Sequence, residues 1–269
     1  MFKIGFCDEE KAEIAPSAVP AEAPRLGEPR RSVVRVAFPD SPVLLDYYND
    51  LFDLHRGDLV FVSGKKQGTR GRVIEVSYNF KIRLSAYERV VALVDSEVHG
   101  EFFSAGSHFV SFDPAALPRE KAIGWFRCPD GEDDDFVSGS DDSSFPLADL
   151  SEMEISPKIA ERGHDYYTED RVEYLSLNGE QGYAIIMGSQ PYEVEFEYRD
   201  GMIRRLLCTC PCSYNCKHEF AVMLQLRETL ELIGQHYAER FDASGCFAAV
   251  LKRTLFSVAI DGKESGFTL

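Results

Sequence analysis

The sequence has no apolar run long enough to cross a membrane. A membrane-spanning helix needs about 20 consecutive apolar residues, whereas the 269-residue chain intersperses its 44% of hydrophobic residues with charged ones. The opening stretch MFKIGFCDEEKAE also lacks the basic segment and the apolar core of a secretory signal. We therefore expect a soluble, cytoplasmic protein without a membrane partner.

The sequence also lacks several motifs that carry common enzyme chemistries. It contains no GxxxxGK[ST] phosphate loop, no GxSxG nucleophile turn and no HExxH metalloprotease pair. His164 next to Asp165 comes nearest to a catalytic pair, and we interpret it as a helix-surface or packing residue. The prediction is a non-enzymatic protein without a small-molecule substrate, and an enzyme of an unrecognised class is the lesser alternative.

Positive charge is scarce, with 29 Lys and Arg against 45 Asp and Glu and a net charge of −16. Such a chain is a poor partner for a polyanion such as DNA. The deficit is uneven, however, because residues 128–157 hold ten acidic side chains and no Lys or Arg, whereas residues 55–90 hold eight basic and three acidic ones. This basic block is either a solvated sheet face or a nucleic-acid contact, whose candidate residues are Lys65, Lys66, Arg70 and Arg72.

Composition divides the first half of the chain into three parts. Residues 1–31 are rich in Pro, Ala and Glu without periodicity, which predicts a flexible N-terminal arm. Residues 32–127 contain short β-branched runs such as SVVRVAF and GRVIEVSY between glycine-containing turns, which predict a mostly-β domain. The acidic residues 128–155, rich in Gly and Ser, are predicted to be an interdomain linker.

The mostly-β domain is expected to be a small barrel or a bent sheet. Its segment GDLVFVSGKKQGTRGRVIEV is similar to the strand, turn and strand unit of SH3-like barrels. Helical patterns are few in this part of the chain, and VLLDYYNDLF is the best of them.

Residues 156–233 have the pattern of a helix followed by antiparallel strands and a second helix. Ser156 and Pro157 suit the start of a helix, and PYEVEFEY alternates strictly before the turn residues Asp200 and Gly201. MIRRLLCTC then returns as the partner strand, and HEFAVMLQLRETLELI has helical spacing. Residues 234–269 are predicted to add a C-terminal helix and strand, which makes the whole chain α+β.

Four of the seven cysteines lie with a histidine in the stretch CTCPCSYNCKH. A disulfide knot, a redox centre and a metal site are the possible explanations, and a reducing cytosol disfavours the first. Structural zinc takes four thiolate or imidazole ligands, usually as two close pairs. Cys208 and Cys210 lie at the end of a predicted strand, where residues two apart project to the same side. Cys216 and His218 lie at the start of a predicted helix. The spacing therefore favours one structural Zn²⁺ bound by these four residues. An iron–sulfur cluster is the alternative metal centre.

The stretch CTCPCSYNCKHEFAVML closely resembles the SWIM zinc finger, whose pattern is C-x-C, a short spacer and C-x-H leading into a helix. ERGHDYYTEDRVEYLSLNGE and YEVEFEYRDGMIRRLLCTCPC extend the resemblance to bacterial SWIM proteins over residues 156–233. It implies that Cys208, Cys210, Cys216 and His218 bind zinc in a ββα module that contacts DNA or protein. Cys212 departs from the pattern, and the alternative set would contain Cys210, Cys212, Cys216 and His218.

Two non-enzymatic functions follow from these features. In the first, the basic β domain and Arg204, Arg205 and Lys217 near the finger bind nucleic acid or a DNA-associated partner. In the second, the finger is a protein–protein adaptor without nucleic-acid contact. The basic block favours the first hypothesis and the net charge of −16 favours the second.

Overall fold

The computed structural model describes residues 2–5, 28–129, 144–212 and 214–260. The strands are β1 (Phe2–Gly5), β2 (Ser32–Phe38), β3 (Ser41–Asn49), β4 (Leu59–Val62), β5 (Gly71–Ser77), β6 (Val90–Leu93), β7 (Gly100–Ala105), β8 (His108–Ser111), β9 (Ser144–Pro146), β10 (Val172–Asn178), β11 (Gln181–Met187), β12 (Pro191–Arg199), β13 (Met202–Cys208) and β14 (Cys246–Leu251). The helices are α1 (Arg119–Phe126), α2 (Pro157–Thr168), α3 (Lys217–His236), α4 (Ala238–Ser244) and α5 (Lys252–Ala259). The fold is α+β with mostly antiparallel sheets, as the sequence predicts.

Nine strands form the larger sheet in the order β1-β7-β8-β14-β10-β11-β12-β13-β9. The pairs are antiparallel except for β1 with β7. Side chains alternate between its faces: in β14, Phe247 and Ala249 join one core while Ala248 and Val250 join the other. Helix α3 covers the first face with α2 packed against it, and α1, α5 and the smaller sheet cover the second.

The larger sheet draws its strands from more of the chain than the predicted domains suggest. Strands β7 and β8 fall in the predicted β domain of residues 32–127, yet β8 pairs with β14, which pairs with β10. Strand β14 falls in the predicted extension of residues 234–269 and lies inside the sheet. The reason is that all six residues of β14 are buried, so the strand needs cover on both faces.

The smaller sheet has five strands in the order β3-β2-β5-β4-β6. Tyr48 in β3 forms an isolated parallel bridge with Arg89, the residue before β6, and the described strands do not close into a barrel. Of the two predicted architectures, the closed small barrel is therefore wrong for the described strands. The helix predicted for VLLDYYNDLF is wrong, because most of this segment is β3, paired with β2 from Ser32–Asn49 to Phe38–Ser41. Pairing with a neighbouring strand outweighs the local helical spacing.

Part of the predicted acidic linker belongs to the fold. Strand β9 pairs with β13, and Phe145, Leu147, Leu150 and Met153 are buried in the core beneath α3. The remainder of the linker prediction, residues 130–143, lies outside the described residues. So does most of the predicted flexible arm, residues 6–27, whereas Phe2–Gly5 pairs with β7 as the parallel edge strand β1.

The elements around the cysteines begin and end as their local sequence predicts. The Ser156 hydroxyl caps α2 by accepting the N–H of Ile159 at 3.4 Å, and Pro157 opens the helix. Asp200 and Gly201 both have positive φ, 51° and 79°, in the turn between β12 and β13. Strand β13 begins after this turn and ends at Cys208, the first cysteine of the cluster.

None of the described helices is both long and apolar enough to span a membrane.

Candidate metal centre

The end of β13 and the start of α3 bring four ligand side chains together. Cys208 is the last residue of β13, Cys210 follows in a bend, Cys216 is the N-cap of α3 and His218 lies in its first turn. These are the four residues that the sequence predicts as zinc ligands. One ligand atom from each lies within 4.8 Å of all the others, so the group could hold a metal ion.

A β-bulge in β13 decides which way the cysteines point. Ile203 faces α3, so strict alternation would also turn Arg205 towards the helix and Cys208 away from it. Instead the register with β12 shifts, and Arg205 adopts a left-handed φ of 48°. The extra residue reverses the alternation, and Cys208 and Cys210 therefore pack on the α3 side of the sheet.

The distances and burial suit a closed tetrahedral site. Bonds of about 2.3 Å to sulfur and 2.0 Å to nitrogen place tetrahedral ligand atoms about 3.5–3.8 Å apart. Sγ of Cys208 lies 3.8 Å from Nδ1 of His218. Cys210, Cys216 and His218 are buried, whereas Cys208 is half-buried. The protein thus provides a shielded set of three sulfurs and one imidazole.

Aromatic rings hold the imidazole of His218 in place. The ring stacks on Tyr192 with centroids 4.6 Å apart and an interplanar angle of 27°, and Tyr166 lies 5.4 Å away. Gly188 makes room for this stack, because a Cβ there would lie 2.7 Å from the Tyr192 ring and 3.0 Å from Nε2 of His218. Nε2 is buried without a hydrogen-bond partner among the described residues. Nδ1, which lies 3.8 Å from Sγ of Cys208, is the nitrogen that faces the sulfurs, whereas Nε2 lies against Gly188.

Without an ion, the buried side chains of the cluster are uncharged at pH 7. Burial raises the pKa of the Cys210 thiol to about 12, and a hydrogen bond with Cys208 together with burial raises the pKa of Cys216. Burial, with nearby positive charge, lowers the pKa of His218 to about 4. The imidazole is therefore neutral at pH 7, which is the form that binds metal. The buried thiols need a divalent cation to become thiolates.

Helix α3 begins with a capping box in which a cysteine replaces the usual serine or threonine. The N–H of Cys216 donates to the Glu219 carboxylate at 2.6 Å, while the thiol of Cys216 accepts the N–H of Glu219. The free N–H groups and the dipole of the helix stabilise negative charge at this end. The sequence interpretation missed Glu219, as it missed Tyr166, Gly188 and Tyr192 around His218. The signal for Glu219 was the spacing Cys-x-x-Glu before an apolar run.

Cys212 lies outside the cluster. Its side chain is exposed and does not belong to the group of converging ligand atoms. In the same loop Tyr214 is 74% exposed. The observed grouping thus favours Cys208 over Cys212 in the ligand set.

Two of the predicted nucleic-acid contacts connect parts of the protein. The guanidinium of Arg70 donates to the carbonyl oxygen of Trp125 in α1. That of Arg72 donates to the carbonyl oxygen of Ser257 in α5 and, at 2.9 Å, to that of Gly57. Both residues therefore fasten the smaller sheet to helices on the larger one.

The other five predicted contacts are scattered. Lys65 and Arg204 are exposed. Three more already bind neighbouring groups: Lys66 binds Asp40 at 2.7 Å, Arg205 binds Glu197 at 2.9 Å and Lys217 donates to the Tyr166 hydroxyl. The seven residues thus range from the segment between β4 and β5 to β13 and the first residue of α3, and most of them already bind other groups of the chain.

Comparisons with known proteins assign neither a family nor an activity. No protein-family model matches the chain, and no solved structure matches it. A segment of 71 residues is 35% identical to an uncharacterized protein of Methanocaldococcus jannaschii. The match covers 26% of this chain and 30% of that relative, so the chain spans less than a third of the relative's length.

Proposed function

We propose that the chain is a zinc-dependent, non-catalytic interaction protein of the SWIM type. The observation that carries the proposal is the convergence of Cys208, Cys210, Cys216 and His218, with ligand atoms within 4.8 Å of one another. The donor set of three sulfurs and one imidazole is typical of structural zinc. Such thiol ligands also suit a reducing compartment such as the cytoplasm.

The zinc would act on structure rather than on a substrate. Four protein ligands leave no position for water or a reactant on a tetrahedral ion. The same ion would connect the end of β13 to the start of α3, where α2 also packs. We therefore assign the β12–β13 hairpin and α3 as the ββα unit of the finger.

Metal analysis of two cysteine variants tests this proposal. The protein purified without added zinc should contain about one equivalent of zinc. Cys216→Ser removes a buried ligand and should reduce the zinc content below about half an equivalent, with a lower melting temperature. Cys212→Ser is the matched control, because that exposed thiol lies outside the cluster, and it should keep both. Equal zinc content in the two variants would contradict the ligand assignment.

We further propose that the partner is nucleic acid. Support comes from the smaller sheet, where several cations are exposed without an acidic partner among the described residues, Arg56 and Lys81 among them. Binding of labelled DNA and RNA at about 50 and 200 mM salt tests the proposal, because phosphate contacts weaken steeply with salt. Absence of binding at the lower salt concentration would contradict it.

A protein–protein adaptor is the second candidate. The net charge of −16 and the exposed ring of Tyr214 in the loop between the ligand pairs favour it. Aromatic side chains frequently anchor protein interfaces.

A further inference from the structure

A tyrosine stacked against an arginine lies at one end of the smaller sheet, and further cations are close to this pair along the chain. Tyr78 directly follows β5 and is 42% exposed. The guanidinium of Arg30 lies 3.8 Å from the centroid of its ring. The Tyr78 hydroxyl donates to the carbonyl oxygen of Leu54 at 3.4 Å, two residues before Arg56. These contacts hold the ring in one orientation while much of its surface stays in solvent.

Arg30 lies over this ring, and four further exposed cations are close along the chain to Arg30, to Leu54 or to Tyr78 itself. Arg30, Arg31, Arg56, Lys81 and Arg83 are exposed. Within the described ranges none of these five forms an ion pair, unlike other cations of the same sheet, among them Arg35, Lys66 and Arg89. We call these five residues and Tyr78 the Tyr78 surface.

Nearby carboxylates are directed elsewhere. Asp58 accepts the backbone N–H of His55 at 2.7 Å, and Asp53 lies 4.0 Å from the ring of the same histidine. Asp50 binds Arg89 at 3.1 Å. The positive charge of the Tyr78 surface is therefore not neutralised by ion pairs with these neighbours.

The Tyr78 surface is distinct from Lys65, Lys66, Arg70 and Arg72, which the sequence predicts as nucleic-acid contacts, although Arg56, Lys81 and Arg83 belong to the same basic block. Lys65 and Lys66 precede β5, whereas Tyr78 follows it. The seven residues of β5 separate the two ends by about 20 Å, at roughly 3.3 Å per residue. The two ends can therefore be tested independently.

We propose that the Tyr78 surface binds single-stranded nucleic acid. A base stacks on the exposed part of the Tyr78 ring, and the surrounding Arg and Lys side chains contact the phosphates on either side. Single strands fit better than a duplex, because neighbouring base pairs cover both faces of a base inside a duplex. The inference rests on the nucleic-acid partner proposed above and assigns that contact to the smaller sheet rather than to the finger.

Fluorescence anisotropy with the full-length, zinc-loaded protein tests the inference. The probes are labelled oligo-dT and oligo-U of about 16 nucleotides and a duplex of equal length. Tyr78→Ala should weaken binding to the single strands about tenfold, since stacking on an aromatic side chain contributes strongly for each base. Tyr78→Phe retains the ring but loses the hydroxyl contact with Leu54, so it should recover most of the affinity that Tyr78→Ala loses.

Charge is tested separately. The double variant Lys81→Ala, Arg83→Ala should weaken binding and make the slope of log affinity against log salt shallower by about 1.4, from two lost phosphate contacts on a single strand. Lys65→Ala removes an exposed cation at the other end of β5 and should change affinity less than about twofold, because it contacts no phosphate in this arrangement. Melting temperatures identify any variant that misfolds. Tyr78→Phe should then bind more tightly than Tyr78→Ala, and Lys65→Ala should bind more tightly than the double variant.

The outcomes separate this inference from the broader proposals. Binding that is unchanged in Tyr78→Ala and in the double variant overturns the Tyr78 surface, yet leaves nucleic-acid binding intact. Equal or tighter binding of the duplex overturns the single-strand assignment. No binding of any probe overturns the nucleic-acid partner as well, and a zinc content below half an equivalent overturns only the finger.

Discussion

Gly163 lies where α2 packs against the first turn of α3. Substitution of this glycine by alanine, which adds one methyl group, tests that packing. A Cβ at Gly163 would lie 2.9 Å from the carbonyl oxygen of Lys217, 2.9 Å from Cδ1 of Phe220 and 3.0 Å from its Cβ. The carbonyl oxygen and the Cβ cannot rotate away, so Gly163→Ala must push α2 from α3. Overpacking of this kind lowers the free energy of unfolding by about 1–3 kcal/mol. Replacing glycine by alanine inside a helix raises it by about 1 kcal/mol, because alanine has the higher helix propensity.

Gly234→Ala in α3 is the matched control. A Cβ at Gly234 meets no atom of the described residues within 4 Å, so this variant has the gain in helix propensity without the overlap. Because the propensity gain is the same in both, Gly163→Ala should be less stable than Gly234→Ala by about 1–3 kcal/mol. Urea unfolding of the zinc-loaded proteins, followed by circular dichroism, measures the difference. Equal stability of the two variants would refute the close packing of α2 on α3.

Three further predictions concern the sheets. Gly182→Ala should destabilise the protein by about 1–3 kcal/mol in urea unfolding, because its Cβ would overlap the ring of Phe196, and Phe196→Leu in the same chain should recover part of the loss. Arg205→Val should be about 1–2 kcal/mol less stable than Arg205→Gly, because the bulge requires a positive φ; no difference would argue against the bulge. Burial lowers the pKa of His108 to about 4, so the unfolded chain binds the extra proton as pH falls below about 6.5. Stability should therefore drop by about 2 kcal/mol from pH 7 to pH 5, and the same drop in His108→Asn would contradict this assignment.

The local sequence predicts those parts of the site that depend on neighbouring residues. The hairpin turn at Asp200 and Gly201, the N-cap at Ser156 and the spacing of the four ligands all follow from patterns a few residues long. They match the structure because local hydrogen bonds and side-chain alternation determine them. The capping role of Glu219 had a local signal as well, hidden by a cysteine in the place of serine.

Non-local pairing explains most of what the sequence did not predict. The place of β14 inside the larger sheet depends on β8 and β10, which are distant along the chain. The interactions of Arg70 and Arg72 were also hidden, because their acceptors are carbonyl groups of α1 and α5. A basic block in the sequence therefore includes residues that fasten two sheets together. The cations that remain available became visible only in three dimensions.

X-ray absorption at the zinc edge of the purified protein tests the central claim most directly. We predict about one equivalent of zinc with three sulfur ligands at about 2.3 Å and one nitrogen ligand at about 2.0–2.1 Å, from Cys208, Cys210, Cys216 and His218. A spectrum with four sulfur ligands would bring Cys212 into the site in place of His218. Iron in place of zinc, or a protein that binds no metal, would contradict the claim altogether.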